Sequence, residues 1–173
     1  MDDGTRSSGF TLIELMVVIA VAAILATIAV PSLNDFIKKA RVRGAAEALH
    51  TDLTYARSEA VLRNRQITVS ITPGEDWSYS VNDTDPGCAT PADCVIKTVA
   101  GSAFNGTILT SEFTSLTFDG TQGTITDAVG GTIGVDTILV GNSTGKAGVK
   151  PMPISVKLCA PSTDGASMGY PSC

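Results

Sequence analysis

The sequence predicts an α+β protein in which a long N-terminal helix packs on a C-terminal antiparallel β-sheet head. Three observations carry this. An almost unbroken apolar run extends from Phe10 to Pro31, apolar residues then recur at helical spacing to about residue 60, and beyond Asn64 the period changes to two between turn clusters. With 173 residues the chain suits one compact domain, or one domain plus an appendage, which argues against a multidomain enzyme. Hydrophobic residues make up 43% and charged residues only 17%, so the chain is built to bury surface and is not globally disordered.

The first element spans residues 10–31, FTLIELMVVIAVAAILATIAVP, apolar apart from Glu14 and a few threonines. As a helix it is about 33 Å long, enough to cross a bilayer core. A cleavable signal peptide is the rival reading, since Ala20-Val21-Ala22 offers small residues for cleavage. Against it, Glu14 lies inside what would be the apolar core, and Arg6 is the only basic residue before it, beside Asp2 and Asp3.

Residues 32–65 continue the helix with a different character. Leu33, Phe36, Ile37, Ala40, Val42, Ala45, Leu49, Leu53, Ala56 and Ala60 form one amphipathic stripe. Seven of the twelve basic residues fall here against four acids, Asp35, Glu47, Asp52 and Glu59. Pro31 is expected to kink the helix without ending it, and Gly44 is a second soft point.

Residues 66–173 read as a β-rich head, with strands at 66–72, 77–81, 94–99, 113–118, 136–140 and 154–159. Clusters rich in Gly, Asp, Asn and Pro separate them, including residues 82–87, 118–123 and 141–148. Four lysines oppose ten acids in this part, so a basic helix adjoins an acidic head, an asymmetry that suits lateral packing of copies. All four cysteines, Cys88, Cys94, Cys159 and Cys173, lie here, and none has the C-x-x-C spacing of a zinc or redox pair. Their even number points to disulfides and an oxidising compartment such as a periplasm. Of the three pairings, the shortest loops favour Cys88 with Cys94 and Cys159 with Cys173.

Little in the chain supports catalysis. His50 is the only histidine and sits on the helix beside Leu49 and Leu53, so a nucleophilic triad has no support. No Walker, GxGxxG or HExxH motif occurs, and no cofactor or metal is expected. Asn82-Asp83-Thr84-Asp85-Pro86-Gly87 offers oxygen ligands but lacks the distal glutamate of an EF-hand loop, so it reads as a turn. Glu14 is the sharpest single signal, because a carboxylate in an apolar span costs about 2.5 to 3.5 kcal/mol on insertion scales and calls for a cation at the same depth. None is encoded there. A new amine at Phe10, made by cutting after Gly9, would supply one.

Gly9-Phe10-Thr11-Leu12-Ile13-Glu14-Leu15 resembles the class III signal of type IV pilins and type II secretion pseudopilins. The resemblance implies that residues 1–9 are a leader removed by a prepilin peptidase, which also methylates Phe10. It further implies that Glu14 pairs with the N-terminal amine of an adjacent subunit during assembly, and that Pro31 is the family's helix-kinking proline. The leader departs from the basic leaders usual there, with Arg6 against Asp2 and Asp3. Ala56-Arg57-Ser58-Glu59-Ala60-Val61-Leu62-Arg63-Asn64, the Trp77 to Asp83 segment and the Phe118-Asp119-Gly120 turn are similar to the GspH/FimT subfamily. Taken on their own, Arg57, Glu59 and Arg63 read as a solvated helix face with i,i+4 support. Some members of that subfamily bind DNA through a basic motif after a late strand, and the segment from Thr144 through Lys146 to Lys150 occupies the comparable place. Lysines stand there for arginines, at longer spacing and in an acidic head, so DNA is not the favoured partner.

The expected function is therefore structural: a pilin-like minor pilin or pseudopilin of a type IV pilus or type II secretion system, and not an enzyme. Its expected partners are prepilin peptidase, other pilin subunits and the bacterial inner membrane, with the head in the periplasm. A DNA-binding minor pilin for natural transformation is the alternative, and a secreted enzyme behind an ordinary signal peptide is a third class. Lys38, Lys39, Arg41 and Arg43 follow the span while Arg6 alone precedes it, which by the positive-inside rule places the C-terminus inside. The cysteine pattern and the resemblance both require the opposite orientation, and they take precedence.

Overall fold

The structure, a computed structural model, describes residues 10–84, 94–127, 131, 133, 136–162 and 168–173. The leader with Gly9, the residues Asp85, Pro86 and Gly87, and Cys88 lie outside them. The chain forms two compact units, Met1–Ile37 and Lys38–Cys173.

Helix α1 runs from Leu12 to Arg63 and supplies residues to both units. Its start has a local cause: the Glu14 amide donates to Thr11 Oγ1 at 3.3 Å, so Thr11 is the N-cap and Glu14 stands at N3. Pro31 lies inside the helix and does not end it. At the other end Asn64 adopts a left-handed φ of 52°, and the amides of Asn64 and Arg65 return to the carbonyls of Val61 and Ala60 at 3.3 and 3.1 Å. That double closure satisfies two of the carbonyls of the last turn and turns the chain into the sheet.

In the second unit the strands form two antiparallel sheets. The first has five strands, in the order β3 (Val95–Ala100), β2 (Ser78–Asp83), β1 (Ile67–Thr72), β5 (Ser115–Phe118) and β6 (Ile125–Asp127). The second has four, in the order β4 (Ile108–Thr110), β7 (Ile138–Asn142), β8 (Gly145–Met152) and β9 (Ser155–Cys159). Their inward residues bury the α1 stripe of Val42, Ala45, Ala46, Leu49, Leu53, Ala56 and Ala60, every one of them fully shielded. Alanine at four of these seven positions lets backbone approach backbone closely. Trp77 fills the core between Tyr79 and Phe104, with ring centroids 6.2 and 6.0 Å away, and its indole donates to Thr107 Oγ1 at 3.1 Å. The Phe104 ring packs on Gly44, where an added Cβ would meet it at 3.4 Å.

Several expectations need correction. The stripe is not covered along its whole length, because Leu33, Phe36 and Ile37 are exposed and burial begins at Val42. The head holds two sheets, with three strands the sequence reading left out. Two of them, β4 and β6, have three residues each and are too short to show an alternation. The third, β8, overlaps the segment 141–148 that reads as a turn cluster; only Ser143 and Thr144 turn, and extended structure resumes at Gly145. Glycine argues against a strand on propensity, yet at Gly148 it is a packing requirement: a Cβ there would lie 2.7 Å from Thr137 Cγ2 and 3.1 Å from Cys173 Sγ.

Candidate assembly surface and the contacts behind it

In the first unit, the described residues from Phe10 to Phe36 carry fifteen large apolar side chains that are each more than half exposed. Burying one such side chain is worth about 1.5 to 3 kcal/mol, so this surface favours a non-aqueous or helical partner by something on the order of 20 to 40 kcal/mol. By length and composition α1 can cross a membrane. Glu14 lies on this exposed surface and forms no ion pair among the described residues. Its place at N3, three residues after the Thr11 cap, could have been found from the Thr-x-x-Glu spacing alone.

In the second unit, α1 meets the sheets through polar contacts as well as the apolar stripe. The Asp52 carboxylate is 4% exposed, accepts from the Tyr79 hydroxyl at 2.8 Å and pairs with Lys97 Nζ at 2.6 Å. Burial first, and then this hydrogen bond to a carboxylate, push the Tyr79 phenol far above its ordinary range. In the sequence Asp52 is counted only as one of four acids, but it lies three residues after Leu49, on the buried face. Arg57 Nε donates to the Gly123 carbonyl at 2.9 Å, and Arg63 bridges Glu59 at 2.6 Å and Asp83 at 3.2 Å. The Arg57–Glu59–Arg63 face is thus tied to the turn before β6 and to β2 beyond its helix pair, while the Arg63 side chain stays 44% exposed. The i,i+4 pair is present within it. Asp83 Oδ1 is buried without a hydrogen-bond partner among the described residues. His50 Nε2 lies 3.2 Å from the Val156 carbonyl and serves as a packing contact to β9.

The C-terminal segment is tied down three ways. Cys159 and Cys173 form a disulfide. Arg43 donates to the Met168 carbonyl at 2.8 Å, and the Tyr170 hydroxyl donates to Glu47 at 2.6 Å. Partial burial and that carboxylate together raise the Tyr170 phenol. Cys94 is also disulfide-bonded. Lys146 and Lys150 lie on strand β8, not on a turn, and both belong to the outer face of the four-stranded sheet. No group of three or more His, Cys, Asp or Glu suited to a metal ion occurs among the described residues.

Comparison with known proteins places these features. Residues 45–163 match the family model described as Type II transport protein GspH, and residues 4–30 match the prokaryotic N-terminal methylation motif. A fimbrial protein of Pseudomonas aeruginosa is 40% identical over 77 residues, 44% of this chain and 49% of that protein. A fimbrial protein of Neisseria meningitidis is 30% identical over 115 residues, 64% of this chain and 58% of that protein. The chain thus spans about half the length of these relatives. The crystal structure of the P. aeruginosa type IV minor pilin FimU superposes with a TM-score of 0.55 at 23% identity, covering 75% of this chain and 96% of that one, a likeness of fold.

Proposed function

Because the chain belongs to the GspH family of type IV pilin-like proteins, we propose that it is a minor pilin or pseudopilin that joins a filament through its N-terminal helix. In this reading prepilin peptidase cuts between Gly9 and Phe10 and methylates the new terminus. Phe10 to Pro31 holds the chain in the inner membrane, with the head in the periplasm, until assembly. Glu14 then pairs with the amine of a neighbouring subunit, and the helix moves from lipid to a bundle of like helices. The role is mechanical, and no catalytic step is assigned to the chain.

The observation that carries this reading is the exposed apolar helix surface from Phe10 to Phe36, in a chain whose second unit has a complete core of its own. Among the described residues of the first unit nothing covers that surface, which suits lipid or other helices. Glu14→Ala tests it. Removing the charge makes the span more apolar and leaves insertion intact, but takes away the subunit pairing. The variant should fractionate with membranes and be missing from sheared filaments. Incorporation at the wild-type level would remove Glu14 from the assembly step.

A further inference from the structure

We propose that the outer face of the four-stranded sheet is a docking surface for the acidic flank of a second copy of this chain. In the β8–β9 register Lys150 stands directly opposite Lys157, and Lys146 lies four residues along β8 on the same face. Like charges opposed across strands weaken a sheet. Among the described residues none of the three lysines forms an ion pair, and Leu139, Gly141 and Gly148 beside them carry no acid. The face is a small cationic field in a chain of net charge -5.

The complementary charge lies at the opposite edge of the same sheet. Gly74 exchanges hydrogen bonds of 2.9 and 3.1 Å with Leu109 of edge strand β4, which brings Glu75 and Asp76 alongside that strand. Glu112 follows the end of β4 by two residues. All three carboxylates are exposed and none is ion-paired among the described residues. β7 lies between β4 and the lysine strands, and among the described residues no ion pair joins these acids to these lysines. A second copy can bring them together, three charges against three. A duplex nucleic acid suits the face less well, because its phosphates would also meet the acids of the head. Contact between two different patches is heterologous, so repetition gives an open chain of copies and not a closed pair. The inference rests on the filament reading only for where the contact is used, since both patches lie within the second unit.

The test uses the full chain in detergent micelles, mixed from normal and heavy-isotope protein and treated with a carbodiimide. That reagent joins a lysine amine to a carboxylate as an amide, with net loss of water, wherever the two are in contact. Peptide mass spectrometry should find mixed-isotope links from Lys146, Lys150 or Lys157 to Glu75, Asp76 or Glu112. These should fall at least tenfold between about 50 mM and 500 mM salt, where the screening length shrinks severalfold. Lys157→Gln should reduce the links, and Lys150→Glu with Lys157→Glu should abolish them. Adding Glu75→Lys, Asp76→Lys and Glu112→Lys to the latter should restore links of reversed polarity. Absence of these links in the wild type, failure of the double reversal to restore them, or salt-sensitive duplex DNA binding lost with Lys157→Gln in their place would each overturn the proposal. No filament is needed for this readout, so failure of the filament reading in the Glu14→Ala experiment is a separate result.

Discussion

Tyr79, on the second strand of the five-stranded sheet, donates its hydroxyl to the carboxylate of Asp52 on α1 at 2.8 Å, in a place where both groups are almost fully buried. Lys97 reaches the other carboxylate oxygen at 2.6 Å with its side chain still 47% exposed. Helix and sheet are therefore cross-braced by an acid satisfied on both oxygens. Asp52→Ala, which orphans the buried phenol, should cost about 2 to 3 kcal/mol, and Tyr79→Phe about 1 kcal/mol. Lys97→Met should cost less than Asp52→Ala because that ammonium is half in water. Thermal unfolding of the full chain in detergent, followed by circular dichroism, ranks the three.

The same pair sets a pH dependence. The Tyr79 phenol titrates higher in the fold than in the unfolded chain, where it ionises at about 10. Below that value both states hold the proton and the contribution is fully present. Above it the unfolded chain ionises alone, and stability falls by about 1.4 kcal/mol per pH unit until the folded phenol also titrates. Tyr170 is shifted the same way and adds a smaller share because it is only partly buried. A melting-temperature series from pH 8 to about 11 should decline past pH 10, and less steeply in Tyr79→Phe. Equal slopes would show that this tyrosine is not held neutral by the fold.

Replacing Cys159 and Cys173 together by alanine opens a loop of sequence separation 14, worth about 3 kcal/mol. The loss should be local first. The Ala160 amide bonds the Pro171 carbonyl at 2.8 Å and the Cys173 amide bonds Ala160 at 3.0 Å, and both should exchange hydrogen much faster in the variant. Exchange in β1 and β2 should change little. Uniform acceleration would mean that the bond supports the whole head.

Gly120→Ala should destabilise the head by about 1 to 3 kcal/mol. A Cβ at Gly120 would lie 2.3 Å from the Arg65 backbone nitrogen and 2.7 Å from the Asn64 carbonyl carbon, so the turn after β5 and the chain leaving α1 would have to separate. Chemical denaturation of the full chain measures it. An unchanged midpoint would contradict so close an approach.

What the sequence revealed follows the range of the forces involved. The apolar run and the Gly9 to Leu15 motif are local, and strands β1, β2, β3, β5, β7 and β9 emerge within a few residues of their bounds because alternation marks a half-buried strand. Strand β8 escaped because Gly145 and Gly148 lower its propensity, while Gly148 answers to Thr137 and Cys173 packed against it. Asp52 was legible in principle, as a polar residue on a buried stripe. Arg57 and Arg63 were not, since their partners Gly123 and Asp83 lie 66 and 20 residues away and no periodicity connects them. The outer lysine pair was likewise invisible until register set Lys150 against Lys157.

The central claim, a filament subunit processed at its N-terminus, is tested most directly by intact-mass and N-terminal peptide spectrometry of the chain recovered from sheared filaments. The account predicts a protein that begins at Phe10 and carries one added methyl group on its terminal amine, which is the cation that Glu14 lacks. A chain found only in membranes and retaining residues 1–9, in cells whose prepilin peptidase processes other substrates, would contradict it.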